Sequence, residues 1–102
     1  VLVNGIPTPA CLVNAEAADG SQIRTAATAA HEILVEELLA QGAVQCGYCT
    51  PGMVVTLSDL ILRSPVSDCD VREALVGHLC RCTGYQQIVE ATVAAAGRIH
   101  RS

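Results

Sequence analysis

The sequence predicts a mainly α fold: a four-helix unit made of two helical hairpins, with a β-hairpin in front of it. Three observations carry that expectation. Apolar residues recur at helical spacing over most of the chain after Thr25. Before Thr25 the apolar runs are short and are broken by Asn4-Gly5 and Asp19-Gly20, dipeptides typical of tight turns. One pattern is also used twice: helix, Cys46-x-x-Cys49-Thr50, helix, then helix, Cys80-x-Cys82-Thr83, helix. The expected boundary falls near Thr25, with residues 1–25 as a β-type piece and residues 26–102 as the helical unit.

In chain order, Val1–Leu12 reads as a hairpin around Asn4-Gly5, because both residues tolerate positive φ. Gln22–Thr25 is expected as a short strand. Ala26–Gln41 is expected as one helix, with Ala30, Ile33, Leu34 and Leu38 on its apolar face and Gly42 as its C-cap. Glu32, Glu36 and Glu37 fall mostly off that face. Pro51 suits the first turn of a second helix. Its buried stripe is Met53, Val54, Leu57, Leu60 and Ile61, and it ends before Ser64-Pro65. Ser67 with Asp70 three residues on predicts a capping box, opening a third helix with Val71, Leu75 and Leu79 on its apolar side. The fourth runs from about Tyr85 to Arg98, with Ile88, Thr92, Ala95 and Ile99 on one face.

Composition narrows the function. The chain is 51% hydrophobic but only 2% aromatic, so its core must be aliphatic and closely packed. The net charge of −4, with no basic patch interleaved with aromatics, argues against nucleic-acid binding. No apolar run reaches the length of a membrane span. The chain opens inside an expected strand, without an initiator Met or a signal-peptide pattern, and reads as part of a longer one.

Six cysteines in 102 residues call for an account. The amphipathic helices do not need disulfide staples, and a reduced protein whose thiolates bind metal fits better. Both cysteine pairs stand ahead of an expected helix start. There, unpaired N–H groups and the helix dipole stabilise anions, thiolates included. A [2Fe–2S] cluster takes four thiolates, and N–H groups aimed at its sulfurs tune its potential. Gly47 and Gly84 would let backbone approach closely. A structural four-cysteine zinc module that organises an interface is the alternative, although zinc knuckles usually carry two to four residues between ligands and the second pair here has one. "CGYC" ahead of a helix is also like a thiol–disulfide redox pair, but it lacks the βαβ setting and leaves Cys80 and Cys82 unexplained.

"QCGYCTPGM" at Gln45–Met53 and "LCRCTGYQQIVEA" at Leu79–Ala91 resemble the iron–sulfur subunit or domain of the molybdenum hydroxylases, the xanthine dehydrogenase, aldehyde oxidoreductase and carbon monoxide dehydrogenase family. The resemblance implies that Cys46, Cys49, Cys80 and Cys82 bind one [2Fe–2S] cluster in a four-helix domain, next to the molybdopterin of a partner. It implies that residues 1–25 are the end of a plant-type ferredoxin domain. "VLVNGIPTPACLV" is similar to the hairpin of that domain, so Cys11 matches the fourth ligand of a second [2Fe–2S] cluster whose other three ligands are absent from this sequence. Gln45 and Cys82 match positions beside the pterin. The implied role is electron transfer from molybdopterin through the clusters toward FAD, in a complex whose substrate chemistry takes place on another subunit or domain. The implied partners are a molybdopterin-binding large subunit and an FAD-binding medium subunit. The implied location is cytoplasmic, with export left open by the missing N-terminal sequence.

The remaining candidates have plainer readings. Arg81 either donates hydrogen bonds at the site or is simply solvated. Tyr85 is expected to pack at the helix start rather than react. Cys69 lies outside every motif, in the first turn of the third helix. His31, His78 and His100 stand singly and read as surface or satisfied core histidines.

Overall fold

The turn at Asn4-Gly5 sets the first element of the fold. In the computed structural model, which describes residues 1–63 and 65–101, β1 (Leu2–Val3) reverses through it into β2 (Ile6–Pro7). Leu2 pairs with Pro7 and Val3 with Ile6. Asn4 and Gly5 have φ of 51° and 81°, as a two-residue hairpin turn requires. β3 (Ile23–Arg24) pairs antiparallel with the other edge of β1, giving a sheet in the order β2-β1-β3. Asn4 also ties the third strand down: its N–H donates to the Gln22 carbonyl at 2.8 Å, and its Oδ1 accepts from the Gln22 N–H at 2.9 Å.

The expected hairpin to Leu12 is shorter than the sequence suggested. Pro7 and Pro9 lack an N–H for the ladder, and the chain turns instead through a 3-10 segment at Ala10–Leu12. Cys11 therefore sits on that turn and not on a strand.

The expected helix over Ala26–Gln41 is two helices, α1 (Ala26–Ala29) and α2 (Glu32–Ala40). Ala30 and His31 have ψ of 126° and 130°, in the extended region. A tertiary hydrogen bond explains the break. The His31 N–H donates to Ser58 Oγ at 2.8 Å, and the His31 Nδ1 accepts from the Ile33 N–H at 3.2 Å and caps α2. Local propensity yields to these two bonds. At the other end, Gly42 has φ 67°. Ala43 N–H donates to Leu38 O at 2.9 Å and Gly42 N–H to Leu39 O at 3.3 Å, a Schellman motif.

α3 (Thr50–Arg63) has Pro51 in its first turn and buries Met53, Val54, Leu57 and Ile61, with Leu60 partly buried. Val55 and Ser58 are buried as well. Ser64, at the expected stop, lies outside the described residues. α4 (Asp68–Ala74) opens on the expected capping box: Ser67 Oγ accepts from the Asp70 N–H, and Asp70 Oδ2 accepts from the Ser67 N–H at 2.9 Å. Val71 and Leu75 are buried, but Leu79 is 88% exposed. The helix ends at Ala74 and the chain turns near Gly77, so helical periodicity does not reach Leu79. α5 (Gln86–His100) buries Ile88, Thr92 and Ala95 and partly buries Ile99.

α2 and α5 make the most extensive contact, and α3 and α4 also pack on α5. Leu34, Leu57, Ile61, Val71 and Ile88 form the centre of one aliphatic core. Each contributes about 1.5–3 kcal/mol through burial. The small side chains Ala91, Ala95 and Ala96 on α5 leave room for close helix approach. Two helical hairpins result, α2–α3 and α4–α5, with a cysteine pair in the turn of each.

Candidate metal centre

The first turn bonds its leading cysteine through backbone, and the Thr50 side chain reaches Cys49. Gly47 has φ 82°, which folds the chain so that the Tyr48 N–H donates to Cys46 Sγ at 3.5 Å. Cys49 stands directly before Thr50, the first residue of α3, and its carbonyl accepts from the Met53 N–H at 3.2 Å. Pro51 lacks an N–H where the helix has no use for one.

The second turn uses side chains. Thr83 Oγ1 lies 3.1 Å from Cys80 Sγ and accepts from the Tyr85 N–H at 3.1 Å. Tyr85 Oη accepts from the Cys80 N–H at 2.9 Å and donates to the His78 carbonyl at 2.9 Å. Gly84 and Tyr85 both have positive φ, 68° and 75°. For an aromatic residue that is an outlier, costing on the order of 1–3 kcal/mol.

The two turns meet. Cys46, Tyr48, Cys49, Leu79, Cys80 and Arg81 line a cleft of about 430 Å³. Thiols of the two turns act on one another, Cys82 on Cys46 and Cys80 on Cys49. Cys46 and Cys82 are exposed, while Cys49 and Cys80 are half-buried. The Thr83 hydroxyl, helped by nearby backbone N–H groups and the Cys49 thiol, lowers the Cys80 thiol to about 7. The Tyr48 N–H, then the Cys82 thiol, lowers Cys46. Burial, then the neighbouring Cys80, raises Cys49. Among the described residues no group of three or more His, Cys, Asp or Glu side chains closes around a single ion position. Two thiols come from each turn, four in all, the number a [2Fe–2S] cluster takes.

The other candidates fall outside the cleft or at its edge. Gln45 is exposed just before Cys46, and Cys69 is exposed in the first turn of α4. Cys11 is exposed in the N-terminal segment and does not line the cleft. Arg81 lines it from an exposed position. All three histidines are hydrogen-bonded: His31 as described, His78 Nε2 to Thr56 Oγ1 at 2.9 Å, and His100 Nε2 to the Ile61 carbonyl at 2.7 Å. Sequence reasoning missed the hydroxyls of Thr83 and Tyr85. A Thr three residues before a helix start, followed by Gly, is the signal of a side-chain turn that could have pointed to the first.

The profile of the family described as "[2Fe-2S] binding domain" matches residues 18–93. The chain belongs to that family. Its curated relatives include the nicotine 6-hydroxylase small subunit of Paenarthrobacter nicotinovorans, 41% identical over 97% of this chain and 62% of the relative. The xanthine dehydrogenase iron-sulfur-binding subunit of Escherichia coli is 39% identical over 91% of this chain and 63% of its own length. This [2Fe–2S] binding domain chain thus spans about three fifths of the length of such relatives. Among solved structures, quinoline 2-oxidoreductase from Pseudomonas putida 86 superposes with a TM-score of 0.87 at 35% identity, over 99% of this chain and 67% of that one.

Proposed function

We propose that this chain is the electron-transfer iron–sulfur component of a molybdenum-cofactor hydroxylase, with Cys46, Cys49, Cys80 and Cys82 as the ligands of a [2Fe–2S] cluster. The observation that carries the reading is the cleft that Cys46, Cys49 and Cys80 line from two separate turns, with Cys82 near enough to Cys46 to lower its thiol. When bound, such a cluster supplies reversible one-electron chemistry. The residues of this chain supply the rest. The Tyr48 and Thr83 donors favour thiolate over thiol at Cys46 and Cys80. The α2–α5 core holds the turns at fixed separation.

In this reading residues 1–25 belong to a ferredoxin-type domain, where Cys11 is the fourth ligand of a second [2Fe–2S] cluster, and residues 26–102 form the helical domain. Gln45 and Cys82 face the molybdopterin of a large subunit, and electrons leave through the second cluster toward FAD on a medium subunit. Exposed Tyr48, Val76 and Leu79 near the cleft support a covered face. No helix among the described residues is long and apolar enough to cross a membrane. A cytoplasmic location is part of the proposal.

The test is spectroscopic. Anaerobically prepared protein should be red-brown and should give a rhombic EPR signal on reduction. Cys82→Ser should abolish or strongly perturb the signal of this cluster, and Cys69→Ser should leave it intact. An unchanged Cys82→Ser spectrum, or one zinc and no iron at the cleft, would refute the assignment.

A further inference from the structure

Behind the Cys80–Tyr85 turn the packing gives out. A cavity of about 250 Å³ opens there, lined by Leu75, Val76, His78, Leu79 and Tyr85 among others. Leu79 itself points to solvent. Cys80 and Tyr85 pack against the core but are only partly buried. Hydrogen bonds at one atom add to that contact. Tyr85 Oη joins the Cys80 N–H to the His78 carbonyl, at 2.9 Å each. His78 is in turn fixed to α3 through Thr56. α3 begins next to Cys49. The series Thr56, His78, Tyr85, Cys80 thus connects the second cysteine turn to the helix that carries the first. Tyr85 does this from a left-handed backbone, which a bulky residue keeps only where its surroundings overdetermine it.

We propose that Tyr85 is a positioning residue for the thiolate site: its hydroxyl fixes Cys80 opposite Cys49 and keeps the Cys80 N–H from donating to sulfur. The inference rests on the cluster reading above. N–H groups that donate to cluster sulfurs favour the more negative, reduced form and raise the potential. An N–H committed to Tyr85 makes no such contribution, and removing the hydroxyl releases it.

The experiment compares Tyr85→Phe with wild type in the cluster-loaded full-length protein. The relevant signal is the one that Cys82→Ser removes. In Tyr85→Phe a chelator should strip this cluster severalfold faster, and its EPR signal should change. Its midpoint potential should rise by the equivalent of roughly a fivefold change in the redox equilibrium, about the worth of one neutral hydrogen bond. Loss of the cluster with the helical circular dichroism intact would also support the role. An unchanged or lowered potential would overturn it, and so would loss of the cluster together with the helices. A colourless wild type would sink the cluster reading and this inference with it, whereas a red-brown wild type matched in every readout by Tyr85→Phe would sink this inference alone.

Discussion

The Cys46–Cys49 turn runs straight into α3, whereas the Cys80–Cys82 turn needs Thr83, Gly84 and Tyr85 before α5 begins. The first positions Cys46 with a left-handed glycine and one backbone donor, and the Thr50 side chain acts only weakly on Cys49. The second has a single residue between its cysteines and recruits two side-chain hydroxyls. Half-sites that look like copies in the sequence are therefore built on different principles. Substitutions in the first should act through chain conformation, and substitutions in the second through hydrogen bonding.

Three losses of stability order themselves by size, and a fourth measurement reads protons. Leu57 is fully buried on α3, and Leu57→Ala should cost about 2–5 kcal/mol in urea unfolding. It damages the common support and should loosen both turns alike; a loss confined to one turn would contradict the single core. Gly47→Val comes next. Only Val44 lies near the position of an added side chain, so space is not the difficulty. The positive φ is, and about 1–2 kcal/mol of stability should be lost. No loss there would remove the backbone half of the contrast. Ser67→Ala removes the box that starts α4, ahead of the second turn, and should cost about 1 kcal/mol. Thermal unfolding of the variant reads it.

The fourth effect is on protons. In metal-free protein Cys80 should be alkylated with a midpoint near pH 7, because Thr83 and its neighbours lower it from 9.0. The sign follows from linkage. A group whose folded value is depressed adds stability that is complete above the unfolded value and lost as pH falls through about 7. Thr83→Val should move the alkylation midpoint upward and shrink that pH-dependent stability. An unmoved midpoint would mean that the hydroxyl does not govern the thiol.

Much of this was legible in the residues. The Asn4-Gly5 turn, Gly42 at the end of α2, the Ser67–Asp70 box and the stripes of α3 and α5 are local signals, and the structure holds each of them. The failures share a cause in longer-range contact. Nothing near Ala30 announces that the His31 N–H will leave the helix for Ser58, 27 residues away. Periodicity alone carried the third helix to Leu79, although Gly77 lies in its path. The cysteine spacing pointed to the two turns. Their meeting at one cleft and the reach of the Tyr85 hydroxyl depend on how two hairpins stack, which spacing does not encode.

The Ser58 hydroxyl has a consequence beyond breaking a helix. It moors the segment descending from the sheet through α1 to a point on α3 nine residues beyond Cys49, or about 13 Å along the axis at 1.5 Å per residue. α3 thereby acts as a ruler, and the spacing between the strand-bearing part and the sulfur-bearing cleft is gauged by one rigid rod instead of by a slack tether.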